Sequence, residues 1–125
     1  MLGLHPEEVK ADYREVLEKM KAVLLADHNY IAVGEVGLDF YWSREFEKEQ
    51  LEAFEEQVKW SVETRLPLMI HCRKAQNEMV KILRKYQDQL PGGVFHCFTG
   101  NEKEAAELLT FNNFVLGIGG EGKPS

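Results

Sequence analysis

The chain holds only two cysteines, Cys72 and Cys97. That is too few for the disulfide framework of a small secreted domain, and a reducing cytoplasm is the expected setting. It contains no apolar run approaching the ~20 residues of a membrane-spanning helix, and its first residues lack the basic-then-apolar order of a secretory leader. No membrane partner is therefore expected. Cations are scarce as well: 15 Lys and Arg stand against 21 Asp and Glu, a net charge of −6. This argues against nucleic-acid binding through a broad cationic face, which rests on many Lys and Arg contacts to phosphate. It leaves open a phosphate-processing site in which bound metal ions supply the positive charge. Low-complexity tracts and internal linkers are missing too, so 125 residues allow one modest core and no more than one domain.

What is present is a recurring pattern. Ile31-Ala32-Val33-Gly34 runs into Glu35, Pro67-Leu68-Met69-Ile70 into His71, and Gly93-Val94-Phe95 into His96. Short apolar runs bounded by turn residues read as buried strands, here each ending on a polar residue. Another strand is expected from Phe114 to Ile118, and Leu2-Gly3-Leu4 reads as the end of a further one. Helical patterns lie between them. His5-Pro6 opens one that carries Val9, Tyr13, Val16, Leu17, Met20, Val23 and Leu24 on one face. A second runs from about Glu45 to Arg65 with Leu51, Phe54, Val58 and Val62 on its apolar side, and Pro67 ends it. A third spans about Ala75 to Gln87. A fourth starts at Asn101, where Glu104 three residues on resembles a capping box. Strands alternating with helices imply a parallel sheet of the α/β class. Such units build a TIM (β/α)8 barrel, which typically needs about 250 residues, so this chain reads as about half of one.

In parallel α/β folds the chemistry gathers at the carboxyl ends of the strands. Glu35, His71 and His96 at three such ends could converge on one divalent ion. Carboxylate with imidazole is the donor set of His2Glu zinc sites and of many manganese or magnesium sites. Singly, each histidine could cap a strand and Glu35 could pair with Arg73; together they read as a metal site. His71-Cys72 and His96-Cys97 invite a Cys2His2 zinc, but neighbouring residues on a strand point apart. The cysteines are expected to pack as small apolar groups instead. His5, where the first strand gives way to helix, is a candidate substrate contact or proton donor. Arg73 could fork onto a phosphate or form a surface ion pair. Asp39 could hydrogen-bond a ligand histidine or simply hold its loop. Tyr41 and Trp42 could stack on a base or pack, and Phe98-Thr99-Gly100 could floor a pocket. Gly34 and Gly37 are expected to loosen the exit of their strand.

Gly34-Glu35-Val36-Gly37-Leu38-Asp39, Leu66-Pro67-Leu68-Met69-Ile70-His71-Cys72-Arg73 and His96-Cys97-Phe98-Thr99-Gly100 resemble signature segments of the TatD family of metal-dependent deoxyribonucleases. Gly3-Leu4-His5-Pro6 is similar to another family segment. The resemblance runs in order from the first residue to about Gly120. It implies a TIM-barrel hydrolase of the amidohydrolase superfamily with Glu35, His71 and His96 as metal ligands. One or two divalent ions are implied, Mg2+ foremost, with Mn2+ or Zn2+ as alternatives. DNA is the implied substrate, its phosphodiester bonds cleaved often from a strand end. The ions would polarise the phosphoryl oxygen and activate water while His5 or Arg73 steadies the phosphate. Residues 1–120 thus read as a partial barrel domain and residues 121–125 as a flexible tail outside the family pattern. The family's leading His-x-His strand and its late Thr-Asp-Ser/Ala-Pro segment have no counterpart in the chain. The alternatives are an inactive fragment that self-associates through exposed barrel edges, or a related metal-dependent ester or amide hydrolase.

Overall fold

A computed structural model describes residues 1–27 and 29–118, and the expected tail at residues 121–125 lies outside the described residues. Four parallel strands form one sheet in chain order: β1 (Val33–Asp39), β2 (Leu68–Arg73), β3 (Gly93–Phe98) and β4 (Phe114–Ile118). Helix α1 (Tyr13–Ala26) precedes β1, and α2 (Glu47–Thr64), α3 (Gln76–Lys85) and α4 (Glu102–Leu108) make the crossovers. The α/β alternation expected of a partial barrel is the architecture the chain adopts.

Three expectations change. The strand expected at Leu2-Gly3-Leu4 is reduced to one parallel bridge from Leu2 to Val33. Pro6 lacks an N–H and has a fixed φ, so it starts a 3-10 turn over Pro6–Glu8 and turns the chain off the sheet edge. The helix expected from His5-Pro6 begins only at Tyr13. The strands also run past their apolar stretches. β1 continues through Val36 and Leu38, which pair with Ile70 and Cys72, to Asp39 opposite Arg73. Glu35, His71 and His96 are therefore interior to their strands, not terminal. Side chains alternate across a strand, so a polar residue on the open face does not stop the strand while its neighbours stay buried.

The buried row of the sheet packs on the helices. Leu68, Ile70, Phe95 and Phe114 join Phe54, Val58, Met79 and Leu83 in one core cluster. Trp60 and Phe54 are completely buried. The opposite row is open at the β4 edge, where Val115 is exposed. α2 stops ahead of Pro67 because Arg65 takes a left-handed conformation with φ 61°. Asn101 and Glu104 form the expected capping box, Oδ1 accepting from Glu104 N–H at 2.8 Å and Oε1 from Asn101 N–H at 2.9 Å.

Three groups in this framework hold their protons against rising pH. Burial beside the start of α3 pushes the Cys72 thiol up to about 12. Burial, reinforced by the hydrogen bond to Glu55, pushes Tyr86 up to about 12. Burial and then the Glu52 carboxylate raise Tyr13. In each case the folded chain keeps a proton that the unfolded chain releases at the ordinary Cys or Tyr value. The unfolded state then binds fewer protons, and stability falls with pH. The urea midpoint is expected to be level near pH 8 and to fall progressively above about pH 9. A midpoint that rises over that interval contradicts the assignment.

Candidate metal centre

Glu35 is the hub of a polar cluster on the open face. His5 Nε2 lies 3.4 Å from its Oε1, and His96 Nε2 lies 3.4 Å from its Oε2. His5, Glu35 and His71 bring one ligating atom each within 4.8 Å of one another. The rings of His5 and His71 sit 5.0 Å apart, centroid to centroid. Asp39 Oδ2 lies 2.9 Å from His71 Nε2, and its Oδ1 accepts the Tyr41 N–H at 3.0 Å. Glu35 turns to His5 and His96 rather than to Arg73.

The hydrogen-bond partners assign the tautomers. The Asp39 carboxylate can only accept, so His71 carries its proton on Nε2 and keeps a lone pair on Nδ1. His5 is the reverse case. Its Nδ1 accepts the Glu7 N–H at 3.1 Å, which leaves the neutral ring's proton on Nε2, the atom turned to Glu35. His5 is thus set to give a proton toward Glu35, whereas His71 offers an electron pair. The remaining donors fit a divalent cation: the Glu35 carboxylate, the lone pair on His71 Nδ1 and the His96 imidazole beside Glu35 Oε2. The tightest grouping, however, is of Glu35 and His71 with His5 rather than with His96.

Local backbone irregularity delivers these side chains. The β1–β2 register shifts between Gly34 and Val36, which leaves Glu35 as the extra residue of a bulge. The β3–β4 register shifts between Phe95 and Phe98, the stretch that holds His96. A bulge re-aims a side chain while the rest of the strand keeps its buried row. Glu35 can therefore face the histidines without lifting Val33, Val36 or Leu38, all fully buried, out of the core.

Two residues that pattern reading assigns no role hold the site from behind. Gln50 and Gln57 are buried polar side chains on α2. Gln50 Oε1 accepts the Asp39 N–H at 2.8 Å while its Nε2 donates to Asp39 O at 3.1 Å. Gln57 Oε1 accepts the Leu4 N–H at 2.6 Å, next to His5, and its Nε2 donates to Ala53 O at 3.1 Å. One helix face thereby fixes both the Asp39 end of β1 and the segment that carries His5. The signal in the sequence is their spacing, which sets both glutamines on the same stripe as Phe54, Val58 and Ser61. Gln57→Leu strands the buried Leu4 N–H and should cost about 1–3 kcal/mol. Urea denaturation measures this; a change within experimental error removes the latch from the account.

Arg73 is placed away from Glu35. Its guanidinium lies over the Tyr41 ring at 3.8 Å from the centroid and 5.7 Å from that of Trp42. A cavity of about 610 Å³ opens beside it, lined by Tyr41, Arg73, Phe95, His96 and the Phe98-Thr99-Gly100 turn.

Comparison with known proteins converges on one family. The family model described as TatD related DNase matches residues 1–122. A 3'-5' ssDNA/RNA exonuclease TatD of Cronobacter sakazakii is 38% identical over 118 residues, which are 94% of this chain and 44% of that protein. An uncharacterized metal-dependent hydrolase, YabD of Bacillus subtilis, is 36% identical over 119 residues, 95% of this chain and 46% of that protein. Among solved structures, YjjV, a TatD homolog from Escherichia coli K12, superposes with a TM-score of 0.82 at 28% identity, covering 96% of this chain and 46% of that one. A TatD family hydrolase from Entamoeba histolytica gives 0.71 at 26% identity, covering 93% and 40%. The chain spans less than half the length of these curated relatives. With a family match over nearly all its residues and this half-barrel of parallel strands, the chain belongs to the TatD-related DNase family.

Proposed function

We propose that the Glu35 cluster binds one or two divalent cations, Mg2+ foremost, and serves hydrolysis of DNA phosphodiester bonds from a strand end. The observation that carries this reading is the carboxylate of Glu35 with an imidazole on each oxygen and His71 alongside. Family membership and the names of the relatives, a 3'-5' ssDNA/RNA exonuclease and a metal-dependent hydrolase, support it. Glu35, His71 through Nδ1 and His96 are the proposed ligands. When bound, the cation would supply Lewis-acid stabilisation of charge on a phosphoryl oxygen and activate water.

The chain's own residues do the rest. Asp39, only 5% exposed, fixes the orientation of the His71 ring and the nitrogen that bears its proton. His5 holds a proton on Nε2 at the rim of the cluster, placed to hydrogen-bond a phosphate oxygen or to return a proton to the leaving oxygen. Arg73, on the same strand as His71, supplies a planar fork for a neighbouring phosphate. Gln50 and Gln57 keep these parts in register.

An end-labelled single-stranded oligonucleotide tests the proposal. The chain is expected to release nucleotides with Mg2+, Mn2+ or Zn2+, to stop on chelation and to resume when metal returns. Inactivity with all three ions overturns it.

A further inference from the structure

The loop after β1 exposes aromatic surface that the fold does not use. Trp42 is 70% exposed and Tyr41 46%, and their rings meet edge to face at 4.7 Å. The other tryptophan, Trp60, is completely buried. Large apolar side chains left in water beside each other mark a contact surface rather than a core. A cation lies on this surface: the Arg73 guanidinium stacks on Tyr41 at 3.8 Å and lies 5.7 Å from the Trp42 centroid. It does so in a chain with 21 acidic residues, any of which would make an easier partner on charge alone.

Position ties this surface to the Glu35 cluster. Arg73 follows His71 by two residues in β2, so both lie on the same face, about 6–7 Å apart along the strand. The Tyr41 N–H is held by the Asp39 carboxylate that also fixes His71. The cavity lined by Tyr41 and Arg73 is also lined by His96. The link to the candidate metal centre thus runs through His96 at the cavity and through Asp39 to His71.

We propose that Tyr41, Trp42 and Arg73 form a stacking site for one unpaired base of single-stranded nucleic acid, next to the phosphate that the Glu35 cluster engages. The proposal rests on the phosphodiester reading above and names the residues that hold the base. Every base has a π-face, so stacking on an aromatic side chain is strong and tolerant of sequence. In a duplex those faces are covered by neighbouring bases, so the site selects single strands. Stacking on Tyr41 leaves the edge of the Arg73 fork free for the adjacent phosphate, a bidentate arrangement a lysine would not reproduce. Charge complementarity is local here, which reconciles a nucleic-acid ligand with a net charge of −6.

The test separates binding from turnover. A phosphorothioate-linked oligothymidylate that resists cleavage is compared with an abasic oligomer of equal length and linkage. Affinity is read from the anisotropy of a label, and stacking from quenching of the exposed Trp42 emission. The base-bearing oligomer is expected to bind about tenfold tighter than the abasic one, which is about 1.4 kcal/mol. Trp42→Ala should remove that difference, Trp42→Tyr should retain most of it, and the abasic oligomer should bind all three proteins alike. Equal affinity of wild type for the two oligomers overturns the stacking site, as does an unchanged difference in Trp42→Ala. A chain that cleaves DNA yet shows no base-dependent quenching loses this site and keeps the hydrolase. A chain that shows the quenching and cleaves nothing keeps this site and loses the hydrolase.

Discussion

Glu35→Ala should abolish measurable binding of Mn2+, Zn2+ and Mg2+ while leaving the fold intact. The reason is the position of the carboxylate. Among the described residues it is the one carboxylate that meets both His5 and His96, through separate oxygens, and it is grouped with His71 as well. Removing it takes the only anionic donor from the His5–Glu35–His71 group and leaves only neutral nitrogen donors to face a divalent cation. Loss of an outer partner such as Asp39 typically costs about 10–100-fold in metal affinity, and loss of a direct anionic ligand exceeds that. Stability should move by no more than about 1 kcal/mol, because His5, His71 and His96 are open enough for water to replace the lost contacts. Isothermal titration gives the first quantity and urea denaturation the second. Titration curves that match wild type remove Glu35 from the site, whatever the activity shows. Glu35→Gln refines the result: it keeps the shape and one acceptor oxygen but not the charge, so affinity recovered by Gln assigns the effect to geometry rather than to electrostatics.

The sequence makes the alternation of strands and helices legible because buried and exposed positions differ in polarity with two distinct periods. Val33, Leu68, Ile70 and Phe95 are buried in the core as their apolar runs imply, and the Asn101–Glu104 box starts α4 as its spacing implies. The strand ends were illegible for a physical reason. Glu35, His71 and His96 are polar because they face an open mouth, and polarity on one face is indistinguishable in sequence from the end of a strand. The bulges at Glu35 and around His96 left no mark, since register depends on the partner strand. Gln50 and Gln57 carry no role in the sequence because an amide on an apolar stripe looks like an interruption. Its value appears only when the backbone it clasps, at Asp39 and Leu4, is in place. His5 was legible as a residue at the mouth, but its tautomer follows from the Glu7 N–H, which no side-chain pattern encodes.

Gly37 is the sharpest of these cases and leads to the largest stability effect expected. Its neighbours suggested a glycine that loosens the exit of β1. In the structure it sits inside β1, paired with His71, at φ +141°. A side chain of L configuration is strained there, at about 1–3 kcal/mol before any contact is considered. Contact adds more, because a Cβ would run into the His71 carbonyl oxygen and lie 3.0 Å from the carbonyl carbon. Both atoms are backbone in the centre of a paired strand and cannot swing aside as a flexible side chain would. Gly37→Ala is therefore expected to destabilise the chain by more than about 4 kcal/mol, in the exceptional range for a single methyl group. Any fraction that still folds should hold β1 away from β2, carrying Glu35 and Asp39 off His71, and should bind divalent cations weakly. Gly117→Ala is the matched control. It also adds one methyl group to a strand, but its Cβ would lie 3.3 Å from Val94 Cγ1, a side-chain atom with room to give. Its unfolding free energy should stay within about 1 kcal/mol of wild type. If urea denaturation places the two alanine variants together, the close approach of β1 to the His71 backbone is not what holds the candidate metal-binding face in shape.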